Sequence, residues 1–240
     1  MKKQVLFLVL FSLCTLSFGQ RITFRTTLNE VKFANRGSYQ AGSEKMMLKY
    51  YPSLNNDGRI VYNVTGGKND GSYLIMPAKP SSFAESDIPT SLIEGRPDFW
   101  RVNVLPFIES SQTDILEYQP DFSTSKLEEG ENVEKYLVTE FTVINRTRAG
   151  LEVRKKMSKA WEKMGHKMIV FSTWTGVNRI YHSRLLPNGW KELDAVDNFV
   201  TVYDELHGKE AWVKDLAILN EYWERADSFL LQVNKTLSSK

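Results

Sequence analysis

Apolar and polar positions along this chain fall into two runs of elements that follow the same order about 110 positions apart. In the first run, Leu28 to Phe33 reads as a strand, and Gly37-Ser38 opens a helix through Met46 and Tyr50 that Pro52 and Asn55-Asn56-Asp57-Gly58 stop. Arg59 to Thr65 and Ser72 to Met76 alternate as a hairpin across Gly66-Gly67-Lys68-Asn69-Asp70-Gly71, a loop rich in residues that accept positive φ. In the second run, Tyr136 to Ile144 reads as a strand, and Gly150 opens a helix with Val153, Met157, Trp161 and Met164 on one face. Met168 to Thr175 and Ile180 to Leu186 then form a second hairpin across Gly176-Val177-Asn178. Asn35-Arg36 corresponds to Asn145-Arg146, Met46 to Met157 and Ile60 to Ile169, so the register barely slips between the copies.

Two more segments carry helical spacing. Asp98 to Tyr118 holds Trp100, Val104, Phe107 and Ile115, with Pro106 as a kink. Lys209 to Lys235 holds Trp212, Leu216, Leu219, Trp223, Ala226, Leu230 and Val233 at steps of four and three, which predicts one long helix burying a single stripe. Between these, residues 77–97 read as irregular with a short helical turn at Phe83-Ala84-Glu85. The acidic stretch from Pro120 to Lys135, with Glu128-Glu129-Gly130-Glu131, reads as a solvated connector.

The order strand, helix, hairpin, helix, met twice, predicts an α+β protein of two tandem ferredoxin-like (βαββα) repeats, their sheets packed face to face and their helices outside. Repeat 1 spans 20–119, a linker 120–135, and repeat 2 136–240. The uncovered sheet faces would enclose a partly apolar interior, either within one chain or between the copies of a homodimer.

Composition adds an address. Lys2 and Lys3 precede an apolar run from Val5 to Phe18 that is too short for a bilayer, and Ser17-Phe18-Gly19 before Gln20 suits cleavage, so residues 1–19 read as a signal peptide of a secreted or periplasmic protein. Cys14, the only cysteine, lies inside that segment, which leaves the mature chain without thiol chemistry, disulfides or Cys-ligated metal. Leu13 in front of Cys14 speaks against a lipid anchor. No later apolar run reaches the ~20 residues of a transmembrane helix. Lys2 and Lys3 account for the whole excess of 31 basic over 29 acidic residues, so the mature chain is formally neutral and carries no footprint for nucleic acid or an anionic membrane.

Candidate chemistry is sparse. His166, His182 and His207 are too far apart for a compact metal motif, and no metal or cofactor is expected from the motifs. His182 alternates with Ile180 and Arg184 along its strand and is expected to face the interior. Tyr62 and Phe171 hold equivalent places in the two hairpins, with Tyr73, Tyr181 and Trp174 near them. Tyr62, Tyr73, Phe171, Trp174, His182 and Arg184 therefore form the candidate lining for a flat, apolar small molecule between the sheets, with Asn63 or Ser172 helping to orient it. The same aromatics would serve equally as filler. No nucleophile elbow, paired carboxylates or phosphate-cradling loop is present, and Gly66-Gly67 opens a hairpin, not a helix. Asn63-Val64-Thr65, Asn145-Arg146-Thr147 and Asn234-Lys235-Thr236 satisfy the glycosylation triplet and read as chance matches.

The stretch from Asp70 to Glu85 (Asp-Gly-Ser-Tyr-Leu-Ile-Met-Pro-Ala-Lys-Pro-Ser-Ser-Phe-Ala-Glu), taken with the repeat order, resembles the dimeric α+β barrel superfamily of antibiotic-biosynthesis-type monooxygenases, stress-responsive barrel proteins and exported bacterial proteins. The likeness in pattern covers nearly all of the mature chain and brings no catalytic motif. The superfamily's fourth strand after each second helix is not evident in the sequence. The resemblance implies a barrel that binds a small molecule, or a haem-dependent or cofactor-free monooxygenase in which an inward His182 would ligate haem or move a proton. A structural subunit with no ligand is the remaining reading.

Overall fold

The computed structural model describes residues 21–54, 58–81, 94–130 and 133–240. The expected signal segment 1–19 and the turn at Phe83–Glu85 lie outside the described residues. Eight strands, β1 (Thr23–Glu30), β2 (Arg59–Thr65), β3 (Tyr73–Pro77), β4 (Ser110–Tyr118), β5 (Lys135–Val143), β6 (Met168–Thr173), β7 (Arg179–Leu185) and β8 (Trp223–Val233), form a closed antiparallel barrel in the order β1-β3-β2-β8-β5-β7-β6-β4. The helices α1 (Arg36–Tyr50), α2 (Arg96–Asn103), α3 (Arg148–Lys163), α4 (Phe199–His207) and α5 (Ala211–Tyr222) lie outside it.

The two four-stranded halves do not face each other as separate sheets. They join along both edges, where Val64 of β2 pairs with Leu231 of β8 and Glu117 of β4 pairs with Ser172 of β6. Closure removes every open sheet edge and is completed within one chain, so no second copy is needed to cover the inner faces.

Strand alternation then sorts the side chains into three cores. Tyr62 and Val64, Ile169 and Phe171, Tyr136 and Val138, and Leu231 point inward and fill the barrel. Their neighbours point outward. Val61 and Tyr73 meet Tyr39, Met46, Met47 and Tyr50 of α1, and Val170 and Ile180 meet Val153, Met157 and Ala160 of α3. Helix α3 begins where the Thr147 hydroxyl accepts a hydrogen bond from Gly150 N at 3.1 Å, an N-cap that starts the turn carrying Val153 and Met157 inward.

Three elements differ from the sequence reading. The strand expected over Leu28 to Phe33 is β1, Thr23–Glu30, and Phe33–Asn35 is a 3-10 turn. The segment from Asp98 to Tyr118 is not one helix: α2 ends at Asn103, a 3-10 turn covers Leu105–Phe107 around Pro106, and Ser110–Tyr118 is strand β4, paired with β1 along its whole length. The segment from Lys209 to Lys235 is not one helix either. Helix α5 stops at Tyr222, and the apolar stripe continues into β8, which pairs with β5 and β2. These two strands supply the fourth strand of each half. The connector region also has form, with 3-10 turns at Pro120–Phe122 and Leu127–Gly130 and a buried Phe122 under α3. Asn63 and Asn234, from two of the glycosylation triplets, hydrogen-bond each other at 3.0 Å across the β2–β8 seam.

Candidate functional site

The six residues expected to line one ligand site are spread over four places. Tyr62 and Phe171 are inside the barrel, where Tyr62 stands T-shaped against Tyr136 at 5.7 Å and Phe171 against Phe24 at 5.7 Å. Ring fills ring there, and the pockets left in the bore measure only about 120 and 110 Å³. Burial pushes the Tyr136 hydroxyl up to about 12, with Tyr62 opposing the shift by a hydrogen bond. Tyr73 points outward into the α1 layer, its ring 4.7 Å from Tyr39, and accepts a hydrogen bond from Gln40 Nε2 at 2.9 Å. Trp174 sits on the β6–β7 loop with the Arg21 guanidinium 4.4 Å over its ring. Among the described residues, each of the two bore pockets is smaller than a small-molecule site of the kind expected between two sheet faces.

His182 and Arg184 are together, but on the opposite side of the sheet from that expected. Strand β7 turns Tyr181, Ser183 and Leu185 inward and Ile180, His182 and Arg184 outward, beneath the helices. Here an open pocket of about 910 Å³ separates the outer face of β5, β7 and the start of β8 from helices α3, α4 and α5. Its size falls in the range of small-molecule and cofactor sites. The floor is Phe141, His182, Arg184 and Trp223; the roof is Trp161, Phe199 and Trp212.

The roof is fixed by a polar staple. Asp215 of α5 accepts hydrogen bonds from Tyr203 Oη of α4 at 2.6 Å and from Lys156 Nζ of α3 at 2.8 Å. Asp204, near the end of α4, accepts from Trp212 N at 2.8 Å and Glu210 N at 3.2 Å, which satisfies the first donors of α5 and sets the direction of the Trp212 side chain. Trp212 then packs edge-on against Phe199 at 4.9 Å.

His182 is 4% exposed and has three aromatic rings around it: Trp161 at 4.9 Å, Phe141 at 5.0 Å and Trp223 at 5.3 Å. Among the described residues none hydrogen-bonds its imidazole. Burial holds it well below the usual histidine range, and the charge of Arg154 adds to the effect, so it is neutral at pH 7. A neutral imidazole offers one donor and one acceptor nitrogen. At the rim, His166 is also held down by burial and by Arg184, while Asp197, Glu224 and Arg225 are polar. Among the described residues no group of three or more His, Cys, Asp or Glu is placed to hold a metal ion, and no helix is long and apolar enough to cross a membrane.

Sequence reasoning assigned Trp161, Trp212 and Trp223 to the core stripe and did not see them as a pocket wall. The signal that points to them is the bunching of four large aromatics, Trp161, Phe199, Trp212 and Trp223, on elements that flank one histidine strand.

The chain matches no known family and no curated protein. Solved structures do match. A putative monooxygenase from Lactobacillus acidophilus NCFM superposes with a TM-score of 0.51 over 92% of this chain and 97% of that chain, at 10% sequence identity. A putative monooxygenase from Fusobacterium nucleatum superposes with a TM-score of 0.53 over 90% of this chain and 94% of that chain, at 12% identity. The likeness is one of fold: an α+β protein whose strands close into a ferredoxin-type barrel under outer helices.

Proposed function

We propose that this protein binds a small, flat, mainly apolar molecule in the pocket between the β5–β7–β8 face and helices α3 to α5. The observation that carries the reading is His182: a buried, neutral imidazole with no hydrogen-bond partner among the described residues, framed by three aromatic rings on the floor of an open pocket. No described residue engages its ring nitrogens, which leaves them free to hydrogen-bond a ligand hydroxyl or carbonyl. Aromatic faces supply the area, and His182 with Arg184 supplies orientation. Isothermal titration of 2-naphthol tests this: binding is expected, with a loss of at least about tenfold in His182→Ala, the equivalent of one hydrogen bond. Equal heats for the two proteins would refute it.

A second reading, a monooxygenase, is favoured by the same histidine and by the names of the two solved neighbours. A haem would be held in this pocket by His182 as the nitrogen donor to its iron, with Arg184 and Arg225 as counter-charges to its carboxylates. Bound haem would supply oxygen activation, while the aromatic walls exclude water. Addition of haemin separates the two readings, since a Soret band lost in His182→Ala supports the enzyme and its absence leaves the carrier.

The same strand order, 4-1-3-2, in each half supports descent of the two halves from one ferredoxin-like unit, and with it membership of the dimeric α+β barrel superfamily. Export to the periplasm or medium is proposed from Lys2-Lys3 and the apolar run after them.

A further inference from the structure

A second pocket, of about 550 Å³, opens at one end of the barrel and differs in character from the aromatic one. Its walls are polar and carry three guanidinium groups, Arg21, Arg146 and Arg154, against one carboxylate, Glu117. Arg21 is matched: its Nε lies 3.5 Å from Glu117, and it stacks on Trp174. Arg146 is exposed and makes no ion pair among the described residues.

Arg154 is the unusual member. It is 4% exposed, and its guanidinium carbon lies 3.8 Å from the Phe122 ring centroid, so the charge rests on an aromatic face. Its Nε and Nη2 are buried without a hydrogen-bond partner, and no described carboxylate pairs with it. A buried charge is kept only where something compensates it, and a guanidinium has five donors to satisfy. The Tyr222 hydroxyl side contributes, but it brings no negative charge at neutral pH. Burial pushes the Arg154 guanidinium below the usual arginine range, Tyr222 opposes that shift, and Arg146 adds to it.

The backbone holds these groups in place. Tyr222 O accepts hydrogen bonds from Ile144 N at 2.9 Å and Asn145 N at 3.2 Å, which fixes the turn that presents Arg146. Gly150 makes room for the Tyr222 ring, since a Cβ there would fall 2.1 Å from its Cδ2.

We propose that this pocket binds an oxyanion, the phosphate or carboxylate group of a small molecule, with Arg154 at its floor and Arg146 and Arg21 at its rim. Guanidinium groups match both anions in two-point hydrogen bonding, and among the described residues two of the three here have no ion-pair partner. The site is separate from the aromatic pocket and does not depend on the function proposed for it.

Thermal unfolding of the full chain tests the proposal. Sodium phosphate and sodium benzoate are each titrated against sodium chloride at matched ionic strength, because specific binding to the folded state raises Tm in a saturable way and general screening does not. The expected result is a saturable rise with at least one anion, and a midpoint shifted at least tenfold to higher concentration in Arg146→Ala and Arg154→Met. A response to phosphate alone assigns a phosphoryl ligand, and a stronger response to benzoate assigns a carboxylate. No rise above the chloride control, or an unchanged midpoint in Arg146→Ala, overturns the proposal. Should Arg154→Met fail to fold, the exposed Arg146 variant decides alone.

Discussion

The Trp161 indole and the His182 imidazole stand T-shaped with centroids 4.9 Å apart and planes at 77°, joining the helical roof of the aromatic pocket to its strand floor. The contact is between a ring and an uncharged ring, and protonation of His182 would place a cation in a buried site that Arg154 already makes positive. The folded state therefore binds the His182 proton less readily than the unfolded chain, whose histidines titrate near about 6.5. This contribution is constant above that pH and becomes unfavourable as pH falls below it, steepening toward about 1.4 kcal/mol per pH unit. Urea midpoints of the native chain should drop between pH 7.5 and 5.5, and His182→Gln should lose most of that drop, with His166 supplying a smaller part of the same sign.

Glu140 is a buried carboxylate at the barrel mouth, 3.0 Å from Lys68 Nζ and 3.2 Å from Arg179 Nε. Lys68 is half exposed and is replaceable by water, whereas Arg179 is mostly covered. Arg179→Met should cost about 3 kcal/mol by leaving the carboxylate half-compensated, and Lys68→Met less than about 1 kcal/mol. Chemical denaturation of the two variants checks the ranking.

Gly150 and Gly37 occupy the first turns of α3 and α1 and should respond oppositely to alanine. A Cβ at Gly150 would meet Tyr222 at 2.1 Å, a ring 1% exposed that cannot retreat, so Gly150→Ala should destabilise by about 1–3 kcal/mol. A Cβ at Gly37 meets nothing within 4 Å, and Gly37→Ala should stabilise by about 0.5–1 kcal/mol. Both are read from Tm.

The last residues of the chain are stitched into the first half. Leu237 is 1% exposed among the α1 side chains, Ser238 Oγ accepts from Val61 N at 3.0 Å, and Ser239 N donates to Arg59 O at 2.8 Å. Deletion of residues 237–240 should cost at least about 3 kcal/mol, from one buried leucine and the hydrogen bonds of Ser238, Ser239 and Lys240 to Val61, Arg59 and Leu54, and should leave 2-naphthol binding in the other half unchanged.

Both hairpins, α1, α3 and the α+β class were legible because their apolar periods agree with their breakers: Pro52 and Gly58 end one element, and Gly176 turns another. Strands β4 and β8 were not. The first four residues of β4 are exposed, so no alternation marks it, and Trp100, Val104, Phe107 and Ile115 happen to keep a helical period across the 3-10 turn. In β8, Trp223, Ala226, Leu230 and Val233 extend the stripe of α5 with no Gly or Pro at Tyr222, so nothing local marks the change from helix to strand. Missing those strands put His182 on the wrong face of its sheet. Without β8 the sheets had free edges and an open interior, and His182 was turned toward that interior; once the barrel closes, inner positions are filled by Tyr62, Tyr136 and Phe171 and the outer face carries the pocket.

The occupancy of the aromatic pocket is tested most directly by the imidazole nitrogen resonances of the full chain at pH 7 during titration with 2-naphthol. A neutral His182 ring whose signals move saturably while those of His207, outside the pocket, stay fixed is the predicted result. A His182 ring that does not respond while signals of the barrel interior, Tyr62 or Phe171, shift instead would contradict it.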